Sequence, residues 1–258
     1  MEHRSVRNAG SGEFGMGVAR ALRARSHVYE ILHTFFYAEP QAEYLSICME
    51  NDLFGAFPGI DVNAAIEQGS GLVLDYLGSA DPIHNEDDLA DLSWDFTEMF
   101  IGPKAPTAPP WASFYLEPQK FLFQHTTLYA RRMYRKYGFM AGSHLNEEAD
   151  DHIALEFEFM GKVSQRIAGV FEEEPKDWPE LQRLVDDQID FISNHVLRYM
   201  GGFAEAVGRG ARLGFYRGLA LMAFGYLEED LAYMQGLSDT CKQCEKGSEG
   251  DEEGCEKW

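Results

Sequence analysis

The chain has no apolar run long enough to cross a bilayer. Its longest uncharged helical stretch, Gly218 to Leu227, is about half of the ~20 residues required, so no stable membrane insertion is expected. The opening MEHRSVRNAGSGEFGMG has no apolar core of the secretory type and is not read as a signal peptide. Cysteine is scarce, with four in 258 residues, and three of them crowd the C-terminal end, which excludes a disulfide scaffold. Cys48 lies in an apolar stretch and reads as core. Basic residues are also few: 22 Lys and Arg against 43 Asp and Glu give a formal charge of −21. A surface that acidic repels phosphate backbones, so no nucleic-acid partner is expected. It favours basic partners, although solubility alone also accounts for it. Together these features read as cytoplasmic.

Strand signals are missing too. No run of β-branched residues alternates strictly, and no hairpin dipeptide joins two such runs. What is present is a helical period. Gly17–Ala38 places Val18, Leu22, Val28, Ile31, Leu32, Phe35 and Phe36 near 3.6-residue spacing, and Glu39-Pro40 ends it. The same reasoning predicts helices over 41–54, 62–78, 86–100, 119–137, 147–173, 178–200 and 203–234. FLFQHTTLY, residues 121–129, is the most strand-like segment and is read as helix. The expected fold is all-α, a single-domain helical bundle spanning 17–236, after a flexible segment 1–16 and before a flexible, acidic, Cys-bearing tail 237–258.

One segment interrupts the period. IGPKAPTAPPWASFYLEP, Ile101–Pro118, carries five prolines and cannot be helix interior, yet it holds Trp111, Phe114 and Tyr115. Aromatics are costly to leave in water, so this long Pro-rich loop between central helices must pack on the bundle.

The chemistry-bearing candidates are few. Cys241-x2-Cys244 with Cys255 has the spacing of zinc ligands, but a structural site wants four and the tail offers no histidine. NEEADDHIALEFEFMGK, Asn146–Lys162, gathers Glu147, Glu148, Asp150 and Asp151 ahead of His152. On a helix, Glu148, His152 and Glu156 would share one face. The Glu-x-x-His pattern of di-iron bundles is absent, since Ala149 stands three before His152, and HExxH is absent as well. No metal or cofactor is therefore expected. The plain reading makes Asn146 the N-cap and the acids complements of the helix dipole. GxxxxGK(S/T) and GxSxG are missing, and GRGARLG (Gly208–Gly214) has one residue too many for a dinucleotide fingerprint. No catalytic residue is proposed, and the chain is not read as an enzyme.

Two stretches carry a family resemblance. FTEMFIGPKAPTAPPWASFYLE resembles the F-x-G-P…P-P-W-x-S-x-Y loop of the TorD/DmsD/NarJ-type redox-enzyme maturation chaperones, and EADDHIALEFEFMGKV resembles their E-P-x-D-H helix. ARSHVYEILHTFFYAEP is similar to the family's opening helix, and the stretch HVLRYMGG…FYRGLALMAFGYLEED to its closing pair. The likeness spans roughly 20–230, and Ala149 departs from the family's proline. It implies an all-helical cytoplasmic chaperone without enzymatic activity. Such a chaperone binds the twin-arginine signal peptide, or the apo form, of a molybdopterin oxidoreductase of the dimethyl-sulfoxide-reductase type until its cofactor is inserted. A nitrate-reductase-type assembly factor is the near alternative. A metal-dependent helical enzyme using His152 and neighbouring carboxylates is the distant one. Carried over by position, the implied binding residues are Phe100, Gly102, Pro103, Pro110, Trp111, Ser113 and Tyr115 in the loop, with Glu148, Asp151 and His152 on the helix. Carboxylates there would take guanidinium groups in bidentate fashion, and the aromatics would line an apolar groove. A monomer or a helix-swapped dimer is compatible with such a bundle.

Overall fold

The computed structural model describes residues 2–102, 105–119, 124–139, 148–173 and 176–249, with side chains described from residue 14 to 245 of these. Among the described residues there are ten α-helices and no strand: α1 Glu2–Tyr37, α2 Ala42–Glu50, α3 Ala64–Ser79, α4 Glu86–Phe96, α5 Ala112–Leu116, α6 His125–Lys136, α7 Ile153–Glu172, α8 Trp178–Phe191, α9 Leu197–Gly210 and α10 Gly214–Glu249. Two π-helical turns, Thr97–Ile101 and Ile192–Val196, follow α4 and join α8 to α9. The all-α bundle expected from the hydrophobic period is the fold found.

Helix α1 packs along α7, and α10 along α3, with α8 and α9 also against α10. The α3–α10 crossing needs glycine on both sides. A Cβ on Gly69 or on Gly218 would run into the other glycine's carbonyl oxygen, so the two backbones touch without side chains between them. Aromatics fill the centre. Phe36 of α1, Phe100 of the first π turn and Phe203 of α9 meet with ring centroids 5.5–6.0 Å apart.

One ionic cluster ties four helices inside this apolar interior. Arg25 (α1) donates to both oxygens of Asp230 (α10) at 2.6 and 2.8 Å, to Gln188 (α8) at 3.0 Å and to the Met160 carbonyl (α7) at 3.4 Å. Tyr29 donates to the same carboxylate at 2.5 Å. Burial opposes the charge of Arg25, yet Asp230 and the tyrosines hold its guanidinium protonated above the ordinary value.

Several boundaries differ from the expected ones for local reasons. The expected helix 203–234 is broken at Ala211–Leu213, while Gly201 and Gly202 stay helical. The buried carboxylate of Asp95 accepts from the Arg212 and Leu213 amides at 2.8 and 3.1 Å, which fixes that turn ahead of α10. The proline-rich segment, expected to be a long loop, contains the short helix α5, set between Pro110 and Pro118. Helix α10 continues to Glu249, past the start of the acidic tail inferred from composition, and buries Cys241 and Cys244.

Replacing Asp230 with Ala leaves the Arg25 guanidinium buried and unpaired. Urea unfolding of that variant is expected to show a loss of about 3–5 kcal/mol, whereas a loss below ~1 kcal/mol would mean that the pair is no better than a surface bridge.

Candidate functional site

The start of α7 lies six residues beyond the point the acids suggested. The helix begins at Ile153, and its N-cap is His152, whose Nδ1 accepts from the Ala154 amide at 3.2 Å. Asn146 and Glu147 lie outside the described residues. Glu148, Asp150 and Asp151 precede the helix, so they do not sit on its first turn as dipole complements, and Glu148 shares no helix face with His152. The reason is a competing set of partners. The main chain at 151–153 pairs with the loop: the Ala112 amide donates to the Asp151 carbonyl at 2.9 Å, and the Ile153 amide donates to the Pro110 carbonyl at 2.8 Å. Trp111 and His152 thus face each other across an isolated antiparallel bridge.

Asp151 closes this seam. It is fully buried, and its two oxygens accept from the Ser113 amide of α5 and the Thr127 hydroxyl of α6, each at 2.8 Å. One carboxylate thereby holds α5, α6 and the entry of α7 together. Its neighbours are engaged too. Asp150 forms an ion pair with Arg131 of α6 at 2.6 Å, and its carbonyl accepts from the Tyr134 hydroxyl at 2.8 Å. Glu148 accepts from the Trp111 indole N–H at 3.1 Å. The acids do hold a guanidinium, and it is the protein's own.

The other residues implied by the resemblance fall into two groups. Trp111, Ser113 and Pro110 belong to the seam, with Trp111 packed edge-on against His152 at 5.8 Å. Tyr115 leans on Tyr199 and Phe203 at 6.1 and 6.2 Å, and its hydroxyl, like that of Ser113, is buried without a hydrogen-bond partner among the described residues. Phe100 is core, enclosed by Phe36, Phe96, Phe203 and Tyr216. Gly102 ends the first π turn at φ 65°, a conformation that suits glycine. Pro103 lies outside the described residues.

Behind the seam is a buried cluster that no local spacing announced. Glu156 is fully enclosed, with His195 Nε2 at 2.6 Å and the Tyr199 hydroxyl at 2.5 Å. Burial pushes the Glu156 carboxyl up against the pull of His195 and Tyr199; burial also opposes charge on His195, but Glu156 outweighs it and raises that imidazole. His195 also forms part of the wall of a cavity of about 390 Å³ between α5–α6 and the second π turn.

A metal site at His152 is not supported. Its Nδ1 is spent on the helix cap, Glu148 lies off the helix, and Glu156 belongs to the His195 cluster. Among the described residues no group of three or more His, Cys, Asp and Glu is placed to hold a metal ion, and no helix is long and apolar enough to cross a membrane.

The fold and site define an all-helical protein in which a proline-aromatic segment is sewn to the entry of a central helix. The model of the family described as nitrate reductase delta subunit matches residues 63–205, more than half of the chain, and the chain belongs to that family. Curated relatives include the protein named Chaperone protein TorD of Aliivibrio salmonicida, 29% identical over 151 residues, 58% of this chain and 67% of that one. The protein of the same name from Vibrio parahaemolyticus is 23% identical over 212 residues, covering 82% of this chain and 95% of its own length. That of Photobacterium profundum is 26% identical over 151 residues, 58% of this chain and 67% of that one.

Two expectations follow. Asp151→Ala leaves two buried donors without an acceptor, and urea unfolding should register a loss of roughly 2–5 kcal/mol, with Asp151→Asn losing less. Burial, aided by the nearby His33, depresses the His152 imidazole from 6.5 to about 3. A depressed folded-state value means that its stabilising effect is complete above pH ~6.5 and drains away as the pH falls toward 3. His152→Asn keeps a cap acceptor, so its stability should fall less steeply with acid over that window when thermal melting is followed against pH.

Proposed function

We propose that the chain is a maturation chaperone for a molybdopterin oxidoreductase, without enzymatic activity of its own. In this reading it works in the cytoplasm and binds the client's twin-arginine signal peptide, its apo catalytic subunit, or both, until cofactor insertion is finished. The observation that carries the reading is the near full-length likeness to a relative named as a chaperone, together with family membership. A dimethyl-sulfoxide-reductase-type client follows from the loop resemblance. The family's description favours a nitrate-reductase-type client as the second reading.

The physical properties of the surface support a basic, partly apolar guest. Formal charge −21 attracts it at long range. Trp94 of α4 and Ile101, which ends the π turn after it, are 49% and 57% exposed. Thr97, between them, donates to Glu39 at 3.1 Å, and Glu39 follows closely on Tyr37, whose ring packs edge-on against His152. Apolar side chains with acids interspersed thus run from α4 to the seam. Asp151 and His152, nearly or fully enclosed, contribute by shaping this surface; the exposed aromatics and acids do the touching.

Calorimetric titration with a twin-arginine signal peptide of a molybdoenzyme encoded beside this chain tests the reading. Micromolar or tighter binding is expected, weaker for the Lys-Lys version and in higher salt. Absence of binding to several such peptides and to the apo catalytic subunit would refute it.

A further inference from the structure

The acids of the seam are occupied, so a guanidinium from a client needs others. The cavity beneath α5 offers them. Glu117, the residue closing α5, and Asp190 of α8 both line it, and among the described residues neither is in an ion pair with a cation. Glu117 uses Oε1 to accept from the Thr126 amide at 3.1 Å, and no hydrogen bond from the described residues engages its Oε2. Asp190 accepts one bond at each oxygen, from Asn194 and from Tyr129, both at 2.7 Å, which leaves a lone pair on each. Thr126, 7% exposed and also in the lining, has its hydroxyl buried without a partner among the described residues. A buried hydroxyl left unsatisfied is unusual and costly.

We propose that this cavity, walled by Glu117, Asp190, Thr126 and Tyr129, is the seat of an arginine side chain of the client peptide. The inference rests on the chaperone reading above and adds where the guanidinium goes. Its chemistry selects guanidinium over ammonium. Acceptors come from two helices and a loop end, which suits a planar fork of five donors better than a point charge. The cavity volume, about 390 Å³, lies within the ~300–1,000 Å³ range of ligand sites. Its position is apt as well. Glu117 and Trp111 sit at opposite ends of α5, so a peptide with its arginine in the cavity has the aromatic seam within about 10 Å, a helix of five residues being ~7.5 Å long. Arg198, exposed in the same wall, is a like charge against the guest, beside the imidazoles of His125 and His195.

The test titrates the twin-arginine peptide and its Lys-Lys version into four variants. Glu117→Gln and Asp190→Asn should each weaken twin-arginine binding about tenfold and narrow the preference over Lys-Lys. Arg198→Gln should tighten it a few-fold by removing the like charge. Glu43→Gln, an exposed acid on α2, controls for net charge and should leave affinity unchanged. The opposite signs for Asp190 and Arg198 separate a local effect from a fold defect. Wild-type affinity and Arg/Lys preference in both carboxylate variants would overturn the cavity assignment while leaving the chaperone reading intact. Equal losses in the Glu43 control, or weakening by Arg198→Gln, would overturn it as well. Failure of the wild-type protein to bind any such peptide would overturn both.

Discussion

A carboxylate cannot be taken out of water unless donors come with it, and Asp151 is wholly buried. That constraint organises the part of the molecule around the entry of α7. The Ser113 amide and the Thr127 hydroxyl are drawn to it, which fixes the proline-aromatic segment and α6 against the entry of α7. The two main-chain bonds of the Trp111–His152 bridge lock the same register. With the register set, Trp111 meets Glu148, Arg131 meets Asp150, and Glu117 is left at the far end of α5 beside the cavity.

The bundle supplies the rigid frame for that arrangement. Arg25 and Asp230 join α1, α7, α8 and α10 at their centre, and the glycine contact of α3 with α10 seals the other side. Breaking either would loosen α7 and α8, which carry Glu156 and Asp190. A buried pair of this kind adds little over an apolar core in free energy, but it admits only one helix register.

Much of the fold was legible. Apolar residues at 3.6-residue spacing marked nearly every helix, and proline ended α1 where expected, at Tyr37. Boundaries governed by distant carboxylates were not legible. The break at Ala211–Leu213 depends on Asp95, more than a hundred residues earlier, and the start of α7 depends on Ser113 and Thr127. Local capping rules see only neighbours, so they assigned the acids to the helix dipole. The candidate site was half legible for the same reason. The motif residues could be read from the sequence but their surroundings could not: Phe100 lies in the core, Asp151 and His152 are enclosed, and Asp150 is paired within the chain. Glu117, Tyr129, Asp190 and His195 carry no motif and come together only in three dimensions.

The account's central claim is that the seam is architecture and that the client contacts the surfaces it sets in place. Hydrogen–deuterium exchange of the protein with and without a twin-arginine peptide measures this directly. The account predicts added protection around α5–α6 and the second π turn, residues 112–129 and 190–198, with the amides of Ser113 and Ile153 already protected in the free protein. Fast exchange at those two amides in the free state, slowed only by the peptide, would contradict it.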